Sequence, residues 1–121
     1  MSRYSYKKGR DIAVDEEMNA GLHMIRDVSE DELSDLAELF KMFADSTRIK
    51  ILYDLMSGAR SVGEICGDLE MNQSAVSHQL KLLKTAKLIG SRREGKQMIY
   101  ALADDHVKTI LAMGKDHIEE E

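Results

Sequence analysis

The chain of 121 residues contains no proline and a single cysteine. Without proline, no helix is interrupted by a missing N–H donor or a ring clash, so helices must end on glycine or on capping side chains. One cysteine, Cys66, excludes an intrachain disulfide and any two-thiolate metal clamp within one chain. Long apolar runs are also missing, and no segment approaches the roughly 20 residues of a membrane-spanning helix. The opening MSRYSYKKGR is charged and has no apolar centre, unlike a signal peptide. A cytoplasmic protein with no membrane partner is expected.

A hydrophobic content of 43% suits one domain with a modest core. Five or six helical segments of this size are expected to need a partner to bury them all. The net charge of −5 argues against nucleic acid only until it is divided along the chain. Residues 79–97 carry Lys81, Lys84, Lys87, Arg92, Arg93 and Lys96 against Glu94 alone, and residues 1–10 add Arg3, Lys7, Lys8 and Arg10. The acids collect in residues 11–78 and 104–121. A basic segment inside an acidic protein still attracts phosphate, because screening limits each charge to about a Debye length.

Residues 1–28 read as an N-terminal arm with a weak amphipathic stretch around Glu16–Ile25. The first firm helix begins at SEDE, where Ser29 and Glu32 form a capping box, and Leu33, Leu36, Ala37, Phe40 and Phe43 follow at helical spacing. A second helix starts near Ser46, carries Ile49, Ile51, Leu52, Leu55 and Met56, and stops at Gly58. A third starts from Ser61, again three residues before a glutamate, Glu64, with Val62, Ile65, Cys66 and Leu69 on one face.

In EMNQSAVSHQLKLLKTAKLI a short turn precedes another helix, whose inward stripe is Val76, Leu80 and Leu83. Gln73, Ser74, Ser77, His78, Lys81 and Lys84 are left largely on its other faces, and Gln79 joins this candidate DNA-binding set. Short hydrogen-bonding side chains at a helix start are what a helix entering the major groove uses on base edges and phosphates. Two extended runs follow, about Leu88 to Arg93 and Gln97 to Leu102, flanking a turn with Gly95. Arg92, Arg93 and Lys96 at its tip suit a wing that grips the DNA backbone beside that groove. The fold expected is mainly α with a small β-hairpin: a winged helix-turn-helix, dimeric, over residues 29–121.

The last segment, DDHVKTILAMGKDHIEE, places an acid and a histidine near each end of one helix. At 1.5 Å per residue His106 and His117 return to nearly the same face about 16 Å apart, too far to share one metal ion. If two copies pack antiparallel across a two-fold axis, Asp104 and His106 of one chain meet His117 and Glu120 of the other, and symmetry makes two sites. On the residues alone, the alternative stands that these are solvated side chains and that Asp104 caps the helix.

With these segments in hand, LAELFKMFADSTRIKILYDL, SVGEIC, NQSAVSHQLKLLKTAKLI and RREGKQMIYAL resemble the ArsR/SmtB family of dimeric winged-helix metal-sensing repressors, over residues 33 to 120. The resemblance implies an apo homodimer on a palindromic double-stranded operator, released when an effector binds. It also implies a metal site between the two C-terminal helices, built from an Asp-x-His and a His-x-x-Glu, which Asp104, His106, His117 and Glu120 match in full. The family's other site needs cysteines where this chain has Ser61, Val62, Gly63 and Glu64, so thiolate sensing is disfavoured and Cys66 reads as a small core residue. Two imidazoles and two carboxylates suit Zn2+. A Ni2+ or Co2+ sensor recruiting His23 or the N-terminal amine is the nearer alternative, and a regulator without metal the other. The outer nitrogen of His117 is expected to bond to backbone near the helix-turn-helix. No nucleophile or spare acid–base pair supports an enzyme.

Overall fold

A computed structural model describes residues 27–120. The amphipathic stretch Glu16–Ile25 and His23 lie outside the described residues. The elements run α1 (Glu30–Phe43), α2 (Ser46–Met56), β1 (Arg60–Ser61), α3 (Val62–Leu69), α4 (Gln73–Thr85), β2 (Ile89–Glu94), β3 (Gln97–Leu102) and α5 (Asp105–Glu119).

The helix starts follow the caps. Ser29 and Glu32 complete a capping box at α1, and Ser61 and Glu64 complete another at α3. Asp45 caps α2 by accepting the Arg48 N–H at 3.0 Å, and Asn72 caps α4 by accepting that of Ala75 at 2.8 Å. The turn between α3 and α4 contains Glu70 in the left-handed region, φ 55°. The C-terminal end of α4 is a Schellman motif: Leu88 donates to the Leu83 carbonyl and Lys87 to that of Lys84, each at 3.0 Å. The left-handed position there is filled by Lys87, φ 63°, where glycine is the usual occupant.

The sheet is antiparallel in the order β1-β3-β2. In the hairpin Glu94 pairs with Gln97, leaving a two-residue loop with Gly95 at φ 63°. The sequence predicts the hairpin but not β1, whose two residues pair with Tyr100 and Ile99. A strand this short has no period to detect.

One core joins Ile51, Leu52 and Leu55 of α2, Ile65 of α3, Val76, Leu80 and Leu83 of α4, Leu88, Ile89, and Val107 and Leu111 of α5. Burying each Leu or Ile contributes about 2 kcal/mol before the entropy of ordering it is subtracted. Cys66 packs against this cluster as a free thiol, as a small core residue should.

Helix α1 behaves differently. It has no buried residue, and Leu36 and Phe40 of its predicted apolar stripe remain 47% and 51% exposed. On α5, Met113 is 62% and Ile118 39% exposed. Between these two helices runs an apolar groove of about 660 Å³, with Phe40, Phe43, Tyr53, Ile110 and Ile118 among its walls. Two amphipathic helices thus direct apolar side chains away from the core. One polar fault sits on α2, where Asp54 Oδ2 is shielded from solvent with no hydrogen-bond partner among the described residues. Burial first, then the neighbouring Asp68 carboxyl, push the Asp54 pKa above its ordinary value, with Arg60 pulling the other way.

Candidate nucleic-acid interface and metal ligands

Because Val76, Leu80 and Leu83 are fully buried, the opposite faces of α4 are turned outward. Gln73, Ser74, Ser77, His78, Lys81 and Lys84 are all exposed there, as the helical spacing requires. Gln79 differs. It sits half-buried on the flank of α4, and its Oε1 accepts from Arg48 Nη1 at 3.4 Å. Lys84 is engaged as well, donating to Ser91 Oγ on β2 at 2.6 Å and tying the helix to the wing.

At the wing tip Arg92, Arg93 and Lys96 are exposed. Arg92 folds back on Glu94, with Nε at 2.7 Å and Nη2 at 2.5 Å from Oε2, so part of its charge is neutralised within the hairpin. The groove between α1 and α4 brings Asp35 and Glu38 alongside His78 and Lys81. The acidic wall of α1 therefore flanks the basic helix without covering its outer face.

At the start of α5, Asp104 performs two tasks. Its Oδ1 accepts the Val107 N–H at 3.2 Å, capping the helix, and lies 3.6 Å from His106 Nδ1. The His106 side chain is 92% exposed and that of Asp104 53%. The cap proposed as the alternative to a metal ligand is thus present, but it leaves acid and imidazole adjacent and facing outward. His117 lies in the last turn and Glu120 is the C-cap; both are exposed. Among the described residues, no three potential ligands gather within one chain. Each end of α5 carries a carboxylate and an imidazole, so an ion bound at either end would need further donors from elsewhere.

Two features bearing on the site carry no sequence motif. Tyr53 Oη donates to the Leu111 carbonyl at 2.8 Å, joining α2 to α5. Arg48 reaches the end of α1 and the flank of α4 together. Both are long-range contacts between elements, and only the assembled fold reveals them.

A family model described as "Bacterial regulatory protein, arsR family" matches residues 45–91, from the N-cap of α2 into β2. The chain is 33% identical to the transcriptional repressor SmtB homolog of Synechocystis, over 77% of this chain and 70% of that one. The chain belongs to the ArsR/SmtB family of transcriptional regulators. As a member it is a DNA-binding winged helix-turn-helix protein rather than an enzyme, with α4 as the candidate recognition helix and the β2–β3 hairpin as wing. It is also 36% identical to the cadmium resistance transcriptional regulatory protein CadC homolog of Staphylococcus aureus, over 71% of this chain and 72% of that one. Among solved structures it is similar to the homodimeric winged helix-turn-helix DNA-binding domain Mb0332 of Mycobacterium bovis. That match has a TM-score of 0.67 and 31% identity, covering 74% of this chain and 86% of that one. No described helix is long and apolar enough to cross a membrane.

Proposed function

We propose that the protein is a zinc-responsive repressor whose metal-free homodimer binds a palindromic operator and whose DNA affinity falls when zinc binds between the two α5 helices, releasing genes of metal efflux or homeostasis. The observation that carries this reading is the adjacent, outward-facing Asp104–His106 pair at one end of α5, a helix whose later turns line an apolar groove that a second copy would fill. Packed antiparallel, that pair meets His117 and Glu120 of the second copy, giving two identical four-ligand sites. The residues fit zinc: two imidazoles and two carboxylates complete a tetrahedral shell and leave no open position for a catalytic water. The names of the relatives, a repressor and a cadmium resistance regulator, support the metal-responsive class, and the homodimeric Mb0332 domain supports the second copy.

Bound zinc would pin the paired α5 helices at both ends. Those helices belong to the subunit contact, so their crossing angle sets the separation of the two recognition helices, and half-sites one helical turn apart tolerate little error. Tyr53 ties α5 to α2 and so to the body that carries the recognition helix. A coupling of about 1–3 kcal/mol is the usual size for such regulation and acts equally on zinc and on DNA.

The test is fluorescence anisotropy of a labelled palindromic duplex titrated with the metal-free protein, then with zinc, nickel and cobalt separately. Zinc is expected to weaken operator binding about tenfold or more. Binding untouched by any of the three metals would remove the metal-responsive reading. A larger response to nickel or cobalt would move the assignment to a six-coordinate sensor with further ligands.

A further inference from the structure

We infer that Arg48 is a positioning residue for DNA recognition: it fixes the recognition helix α4 to the end of α1 by way of Gln79. Arg48 lies in the first turn of α2, half-buried, and its guanidinium makes three contacts. Nε donates to the Met42 carbonyl at 2.9 Å and Nη2 to the Lys41 carbonyl at 3.2 Å. Both carbonyls lie in the last turn of α1, where the helix dipole favours a cation, and that of Lys41 also accepts the Ala44 N–H at 3.1 Å. The planar fork is therefore fixed in orientation from one side. Its remaining nitrogen, Nη1, reaches Gln79 Oε1 at 3.4 Å, the longest of the three contacts.

Gln79 is the half-buried member of an otherwise exposed polar set. Its neighbours Ser77, His78 and Lys81 point outward, while its amide oxygen is directed to Arg48. The hydrophobic core holds α4 through Val76, Leu80 and Leu83, which limits its distance from the body. Apolar contacts are not directional, and they leave the rotation of a helix about that seam weakly fixed. A polar contact on the helix flank supplies the missing constraint. A lysine cannot replace the arginine, because an ammonium is a point charge and cannot serve two carbonyls and an amide in a fixed fork. Phe40 and Phe43, which wall the apolar groove, lie within four residues of the carbonyls that Arg48 binds. The recognition helix is thus referenced to the helix bearing the outward apolar face.

The experiment compares binding of the full chain to a duplex selected by the wild-type protein from a random library and to a scrambled duplex of equal composition, over a range of salt. Gln79→Leu is expected to lower the preference for the selected duplex about tenfold, the scale of one misread base pair, leaving scrambled-duplex affinity and the salt slope nearly unchanged. Arg48→Lys is expected to match it. Gln79→Glu, whose carboxylate accepts from the same guanidinium, should keep the preference within about threefold. The inference is overturned if Gln79→Glu is as damaging as Gln79→Leu, because Gln79 would then be touching DNA. It is equally overturned if Gln79→Leu keeps the wild-type preference. The Gln79 variants carry the test even if Arg48→Lys loosens the fold.

Discussion

Tyr53 on α2 donates its phenolic hydrogen bond to the main-chain carbonyl of Leu111 on α5 at 2.8 Å. Leu111 is itself buried, so the bond is drawn into the side of the helix that faces the core. Tyr53→Phe keeps the ring in the groove and removes only this bond. It should cost about 1 kcal/mol, read as a lower urea midpoint with an unchanged slope. An unchanged midpoint would mean that the hydroxyl does not tether α5.

Lys87 occupies the left-handed position that ends α4. A side chain there costs about 1 kcal/mol relative to glycine. Comparing Lys87→Gly with Lys87→Ala removes the charge equally from both, and the glycine variant should be more stable by about that amount in urea unfolding. Equal stability would contradict the assignment of strain to Lys87.

Much of the architecture could be read directly from the chain because its signals are local. Ser29 with Glu32 and Ser61 with Glu64 mark two helix starts, and both boxes form. The spacing of Val76, Leu80 and Leu83 marks the inner face of α4. The sequence starts the hairpin's first strand at about Leu88 whereas β2 begins at Ile89, because an apolar residue after a Schellman turn looks like the start of a strand. What escaped depends on where elements meet: β1 exists only through its pairing with β3, and Arg48 has no spacing that announces its reach to Gln79. For Gln79 and Lys84 the residue type suggested DNA contact, while the fold gives each a partner within the chain.

Arg92 and Arg93 are neighbours at the wing with unequal surroundings, since Arg92 is paired with Glu94. Arg93→Ala should weaken binding to all sequences and lower the salt slope by about one. Arg92→Ala should lower it by less, because Glu94 already offsets part of that charge. The slope of log affinity against log salt for the two variants checks this, and equal slopes would show that the Arg92–Glu94 pair opens on DNA.

Asp54 makes a signed prediction about acid. Its folded-state pKa is raised above the ordinary 3.8, chiefly by burial. The folded protein therefore keeps a proton that the unfolded chain has released, and this group's stabilisation is complete below 3.8 and lost as pH rises through the folded-state value. Asp54→Asn, neutral at every pH, should raise the Tm at pH 7, and its advantage should shrink as pH falls toward 3.8. A difference in Tm that does not change between pH 4 and pH 7 would contradict the shift.

The most direct test of the proposed zinc site is complementation between two variants that each lack half of it. Asp104→Ala/His106→Ala and His117→Ala/Glu120→Ala should each bind zinc poorly as homodimers. When the two are unfolded together and refolded, half the dimers should be mixed, each with one intact site of two, restoring about a quarter of the wild-type zinc capacity. If the mixture stays as weak as its parents, or if either parent alone binds zinc as wild type does, then the metal is not held between the α5 helices of two subunits.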